Sequence, residues 1–174
     1  MPTPKALHSK STPKWGTPLD IIERARKLLD DQIHLDPASS AEFNQLVKAL
    51  LYYTEHDDGL IQPWAGNVFL NPPGGSVKEF WDRLIQHIIS GQVDKAIWVG
   101  FSVEQLCIFA DLEFHPFDFS CCVLRKRLSF NNENLVSGGA PSHGNYIVGL
   151  GVDHTQFKEL FQSLGKVTRG DLAV

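Results

Sequence analysis

Hydrophobic positions along the chain fall alternately into helix-spaced stripes and short unbroken runs. Ile21, Ile22, Ala25, Leu28 and Leu29 recur at helical spacing with Arg24, Arg26, Lys27 and Asp30 between them, which predicts an amphipathic helix. Thr17 stands where it can cap that helix and Pro18 where it can take the first helical position. A short strand, Ile33-His34-Leu35, ends at Asp36-Pro37. Ser39 and Ser40 open a second helix, with Phe43, Leu46, Val47, Leu50 and Leu51 as its buried stripe. Tyr52-Tyr53-Thr54 reads as extended, and His56-Asp57-Asp58-Gly59-Leu60 as a turn. The apolar run Asn67-Val68-Phe69-Leu70 is a strand. Val77, Phe80, Trp81, Leu84, Ile85, Ile88 and Ile89 form the apolar face of a strong helix that Gly91 closes. Lys95 to Phe101 is a continuous apolar run, the signature of a strand covered on both faces. A short helix (Val103 to Ala110), a strand (Phe119 to Leu124), a polar loop (Asn131 to Asn145), a strand (Tyr146 to Gly151) and a closing helix (Phe157 to Phe161, ended by Gly165) complete the chain.

Helices alternating with short apolar strands predict an α/β three-layer sandwich with a mostly parallel sheet and helices on both faces. One domain over residues 15–165 is expected, with a flexible N-terminal arm at 1–14 and a C-terminal tail at 166–174. In such sheets ligands bind beyond the carboxyl ends of the strands. Asp36, Asp58 and Asn71 all fall just after apolar or extended segments, on that edge.

Composition narrows the classes. With 43% hydrophobic and 21% charged residues, global disorder is excluded. A net charge of −4 does not mark a nucleic-acid binder; a local basic patch still serves, because phosphate attraction depends on how charge is distributed. Arg125-Lys126-Arg127 is the dense basic run, readable as a phosphate contact or as a solvated strand end. Lys5, Lys10 and Lys14 of the arm offer the same alternative. Cys107, Cys121 and Cys122 lack CxxC spacing and read as reduced core thiols of a cytoplasmic protein. No stretch approaches the ~18 apolar residues of a membrane span, and the first residues carry no apolar signal core. The histidines are scattered without metal-ligand spacing, so no metal is expected. His143, in the polar loop, is the one placed near a site.

The chemistry concentrates at Asn71-Pro72-Pro73. Neither proline has an N–H for a ladder, so the preceding strand must stop there. The result is a rigid tip presenting the Asn71 side-chain oxygen and the Pro72 carbonyl. Two convergent acceptors suit an exocyclic NH2 of a nucleobase, binding both hydrogens and orienting the nitrogen lone pair. The plainer reading is a strand ending in a proline turn. Asp36 suits a ribose or an α-amino group, or else caps the helix near Ser39. Asp58 suits the amino group of a bound adenine, or else closes an Asx-turn. Trp15 supplies a flat apolar wall, or else packs as an ordinary staple.

Taken together, Trp15-Gly16-Thr17-Pro18, Leu35-Asp36-Pro37-Ala38-Ser39, Tyr52-Tyr53-Thr54 with Asp57-Asp58-Gly59-Leu60, Trp64, Gly66 and Val68-Phe69-Leu70-Asn71-Pro72-Pro73 resemble the DNA N-6-adenine methyltransferases of phages and prophages. Arg127-Leu128-Ser129-Phe130 and His143-Gly144-Asn145-Tyr146 extend the resemblance more weakly, to about residue 150. It implies an abbreviated class I (Rossmann-like) methyltransferase fold with S-adenosylmethionine as cofactor and DNA as partner. By that likeness Trp15, Thr17 and Pro18 line the methionine end of the cofactor, Asp36 and Ala38 hold it, and Asp58 meets its adenine. Asn71, Pro72, Pro73 and Gly74 form the catalytic tip, and the target adenine is flipped out of the duplex to reach it.

Two departures matter. The family tip normally ends in Tyr or Phe stacked on the flipped base, where this chain has Gly74 followed by Gly75. Either another aromatic (Phe80, Trp81 or Phe101) fills in, or the acceptor is not a flipped adenine, or the chain no longer methylates. The second, shared with the small phage enzymes, departs from the wider class I pattern: no G-x-G loop follows the first strand, and only about twenty residues separate Asp36 from Asp58, short of the ~30 of a full βαβ unit. Two rivals therefore stand beside the adenine methyltransferase: a relative acting on a different amino-bearing base or nucleotide, and a catalytically degenerate domain that binds DNA or protein.

Overall fold

The computed structural model describes residues 14–139 and 142–170; residues 1–13 of the arm expected at 1–14, with Lys5 and Lys10, lie outside them. The elements in chain order are α1 (Leu19–Leu28), β1 (Leu35–Asp36), α2 (Ala41–Val47), β2 (Leu51–Tyr52), β3 (Gly66–Leu70), α3 (Val77–Ile89), β4 (Val93–Gly100), α4 (Gln105–Ile108), a 3-10 turn (Pro116–Asp118), β5 (Ser120–Leu124), β6 (Tyr146–Leu150), α5 (His154–Phe161) and β7 (Gly165–Arg169). All seven strands join one sheet in the order β2-β1-β3-β4-β6-β5-β7.

The sheet is mixed. β2, β1, β3 and β4 run parallel, while the neighbouring pairs β4–β6, β6–β5 and β5–β7 are antiparallel. The expectation of a mostly parallel sheet is thus corrected: it holds for one half only. The second half is joined without a helical crossover between β5 and β6, so these strands pair antiparallel. Because β6 opposes both β4 and β5, those two point the same way. Asp36, Leu70, Gly100 and Leu124 therefore end on a single edge of the sheet.

Strand residues alternate between two cores. Val68, Leu70, Ala96, Trp98, Cys121 and Val148 pack on one face with Phe80, Trp81 and Leu84 of α3. Phe69, Ile97, Val99, Cys122 and Ile147 pack on the other with α1 and with Phe157 and Phe161 of α5. Burial on both faces explains the unbroken apolar runs at residues 68–70, 96–99 and 146–148 in these strands. Trp81 stacks on Phe109 at 5.5 Å and meets Trp98 edge-on at 5.2 Å. Arg26 donates to the Val47 carbonyl at 2.8 Å, satisfying one orphan acceptor at the end of α2.

Several local expectations change. Pro18, not Thr17, is the N-cap of α1, and no side chain caps it. Ser40 caps α2 by accepting from the Phe43 N–H at 3.3 Å. α2 stops at Val47, where Lys48 turns left-handed at φ 52°, so Leu50 and Leu51 leave the expected helical stripe and are exposed. Ile89, at the end of α3, is exposed as well. Cys121 and Cys122 are core thiols that burial pushes up to about 12 and about 11, whereas Cys107 is exposed. Residues 165–169, most of them expected in the tail, form β7 beside β5. Among the described residues no helix is long and apolar enough to cross a membrane.

Candidate active site

The chain enters the sheet at β1, crosses to β2 on one side, and returns past β1 to β3 on the other. The order thus reverses at β1, and a crevice opens beyond the carboxyl ends of β1 and β3, as it does at such switch points. A cleft of about 720 Å³ lies there, within the range of small-molecule sites. Trp15, Thr17, Asp36, Ala38, Asp58, Asn71, Pro72, Pro73 and Gly74, all singled out from the sequence, line it, and so does His143. Pro18 does not; it turns the chain into α1.

Asp36 is only 3% exposed. Burial raises its carboxyl from 3.8 to about 7, since a charge in a poorly solvated place is disfavoured. The Ala38 N–H donates to Asp36 at 3.2 Å and offsets part of that rise, as does the nearby Ser39 hydroxyl. The Ser39 contact stops short of hydrogen-bond geometry, so Ser39 Oγ is buried without a partner in the protein, and so is Thr17 Oγ1. Asp36 therefore turns the β1–α2 bend rather than capping α2. A buried hydroxyl left unpaired costs about 1–3 kcal/mol. Two such hydroxyls and a buried carboxyl in the wall of one cleft suit a ligand rich in hydrogen-bonding groups.

Asp58 differs. It is exposed, sits at φ 52°, and accepts from the Leu60 N–H at 3.2 Å, the Asx-turn of the plainer reading. Its place in the wall comes from Gly59. A Cβ on Gly59 would lie 1.9 Å from the Pro37 carbonyl oxygen, so only glycine lets this turn rest on the end of β1. The buried Trp64 donates to the Gly59 carbonyl at 2.7 Å and holds the turn down.

At the tip, Asn71 Nδ2 donates to the Trp15 carbonyl at 2.8 Å. That bond fixes the amide so that Oδ1 remains the free acceptor. The Trp15–Thr17 segment is held in turn by Gly16, which pairs with Asn131 through bonds of 2.8 and 2.7 Å. Trp15 is 44% exposed, neither core nor staple, and its ring lies where a Gly138 Cβ would stand, 2.0 Å away. Lys14 pairs with Glu55 at 3.2 Å beside the same segment.

The sequence reading missed Ser39, Phe43, Thr54, Phe130, Gly138 and Gly139 as wall residues. The one signal for the last three was the Gly-rich polar loop that follows Phe130. Arg125, Lys126 and Arg127 are exposed on the sheet edge that carries the cleft but are not part of its wall. Among the described residues none of the three pairs with a carboxylate. Among the described residues, too, no three His, Cys, Asp or Glu side chains gather as they would around a metal. No protein-family model, curated protein or solved structure matches the chain.

Proposed function

We propose that the chain is an S-adenosylmethionine-dependent methyltransferase of abbreviated class I, three-layer Rossmann-like architecture, acting on the exocyclic amino group of adenine in DNA. The observation that carries this reading is the convergence of two separate sequence signals in one cleft: Asp36 at the end of β1 and Asn71-Pro72-Pro73 at the end of β3. The orphaned hydroxyls of Thr17 and Ser39, which line the same cleft as Asp36, fit the amino-acid and ribose groups of such a cofactor. Exposed Arg125, Lys126 and Arg127 on the same sheet edge offer phosphate contacts despite the acidic whole.

S-adenosylmethionine supplies the methyl group as a sulfonium whose carbon–sulfur bond is broken by the attacking nitrogen. The chain's task is positioning. Asn71 Oδ1 and the Pro72 carbonyl accept the two amino hydrogens, which aims the nitrogen lone pair away from the tip and into the cleft. The Trp15 carbonyl keeps the Asn71 amide in that orientation. Holding the reactants in line supplies much of the rate. The methylated nitrogen then loses a proton to water.

Calorimetric titration with S-adenosylmethionine and S-adenosylhomocysteine, followed by transfer of labelled methyl to DNA and identification of the modified base, tests the reading. Binding of both with N6-methyladenine as product supports it; no binding of either overturns it. The relative acting on a larger amino-bearing base or a nucleotide is favoured by one observation: no atom lies within 4 Å of where a Gly75 Cβ would stand. Label in such an acceptor and none in DNA would select it.

A further inference from the structure

We infer that Phe101 is the stacking wall for the acceptor base and that glycine at position 74, where a Cβ would just touch the Phe101 ring at 3.4 Å, leaves that ring accessible; the inference rests on the methyltransferase reading above. An amino group held between Asn71 Oδ1 and the Pro72 carbonyl belongs to a flat ring, and a flat ring in a cleft is held best against an aromatic face. Three aromatics, Phe80, Trp81 and Phe101, are the candidates the sequence offers for that face. Trp81 is 1% exposed, stacked on Phe109, and off the cleft. Phe80 reaches the cleft wall but is 5% exposed and committed to the core. Phe101, carried just past the end of β4, is partly exposed and lines the cleft.

Phe101 also touches the place of the missing side chain. A Cβ on Gly74 would meet Phe101 Cζ at 3.4 Å and Cε1 at 3.7 Å. Any larger side chain directed that way would press on the ring or cover it. Glycine leaves the cleft-facing part of the ring uncovered, while the rest of the ring is anchored against the core of α1 and α5. Gly75 beside it faces open space. A base held at the tip would then take its main stacking contact from Phe101.

The test uses the full chain, S-adenosylhomocysteine calorimetry for the cofactor side, and labelled methyl transfer to single-stranded oligodeoxyadenylate for the acceptor side. Phe101→Leu is expected to bind S-adenosylhomocysteine as wild type does and to lose roughly tenfold or more in kcat/KM, mostly as a raised acceptor KM, the loss expected when one base–aromatic stack is removed. Phe101→Tyr should keep near wild-type transfer. Gly74→Tyr in the Phe101→Leu background should recover part of it by restoring a ring from the neighbouring position. Wild-type transfer by Phe101→Leu would overturn the inference and leave the methyltransferase reading standing. Parallel loss of cofactor binding and thermal stability in Phe101→Leu, with no recovery in the double variant, would overturn it in favour of simple packing. A wild-type chain that binds cofactor but labels no oligodeoxyadenylate would overturn it too, by removing the base it stacks. A wild-type chain that binds neither form of the cofactor would instead defeat the reading on which it rests.

Discussion

At the β1 end of the cleft Asp36 is 3% exposed, and the Ser39 hydroxyl close to it is buried without a partner. At the β3 end Gly74 and Gly75 are exposed, and Asn71 is already tied to Trp15. The first region is polar, dry and unsatisfied; the second is rigid, open and oriented. Unpaired buried groups gain most from a ligand that stays bound through the reaction, because pairing them removes a standing cost. An oriented acceptor pair gains most from a group that needs alignment only as it reacts. Under the proposed methyltransferase reading, the difference would assign binding to the β1 end and chemistry to the β3 end, although both line one cleft.

That division is broken most directly at Asn71. Asn71→Ala should lower kcat on the order of 10²-fold or more, the usual loss when one preorganised hydrogen-bonding group is removed. S-adenosylmethionine affinity should stay near wild type. Methylation kinetics and calorimetry on the same preparation check both halves, and wild-type turnover would reduce the tip to a strand end.

Asp36 sharpens the comparison through pH. Its carboxyl is raised above the unfolded value of 3.8 to about 7, so the folded chain holds that proton more tightly than the unfolded one. The stabilisation is full below pH 3.8 and is lost as pH rises through about 7. Denaturant unfolding of the ligand-free protein should show stability falling by on the order of 2 kcal/mol from about pH 5 to about pH 7. Asp36→Asn should lack that fall. Because hydrogen-bond donors from a ligand favour the carboxylate, cofactor binding near pH 6 should also release a proton, visible as a buffer-dependent heat of binding.

Direct loss at the β1 end is smaller. Asp36→Ala should weaken S-adenosylmethionine at least about tenfold, near 1.4 kcal/mol, while sparing kcat at saturating cofactor. Equal affinity in the folded variant would remove Asp36 from the site. The smallest effect is expected at Asp58, which is solvated and already engaged with Leu60. Asp58→Ala should shift cofactor affinity by no more than about threefold, a modest exposed hydrogen bond. A loss as large as that of Asp36→Ala would give both carboxylates the same role.

The amino-acid sequence by itself determined the local facts: where α1, α3 and β4 lie, that β3 must stop at Pro72-Pro73, and that Asp36 and Asn71 follow strands. Side-chain spacing and proline geometry act within a few residues and need no distant partner. Only the tertiary structure decided the rest. Strand pairing is non-local, so the antiparallel half and β7, whose Gly165 looked like a helix stop, were not legible. Leu50 and Leu51 continue an apolar stripe, yet Lys48 turns left-handed and sends them to solvent. Thr17 looked like a cap, yet α1 starts after Pro18 and the Thr17 hydroxyl is buried without a partner, and burial raises the Asp36 carboxyl to about 7. Phe101 stands 27 residues from Gly74 in the chain, and the two meet because β3 and β4 lie side by side and end together.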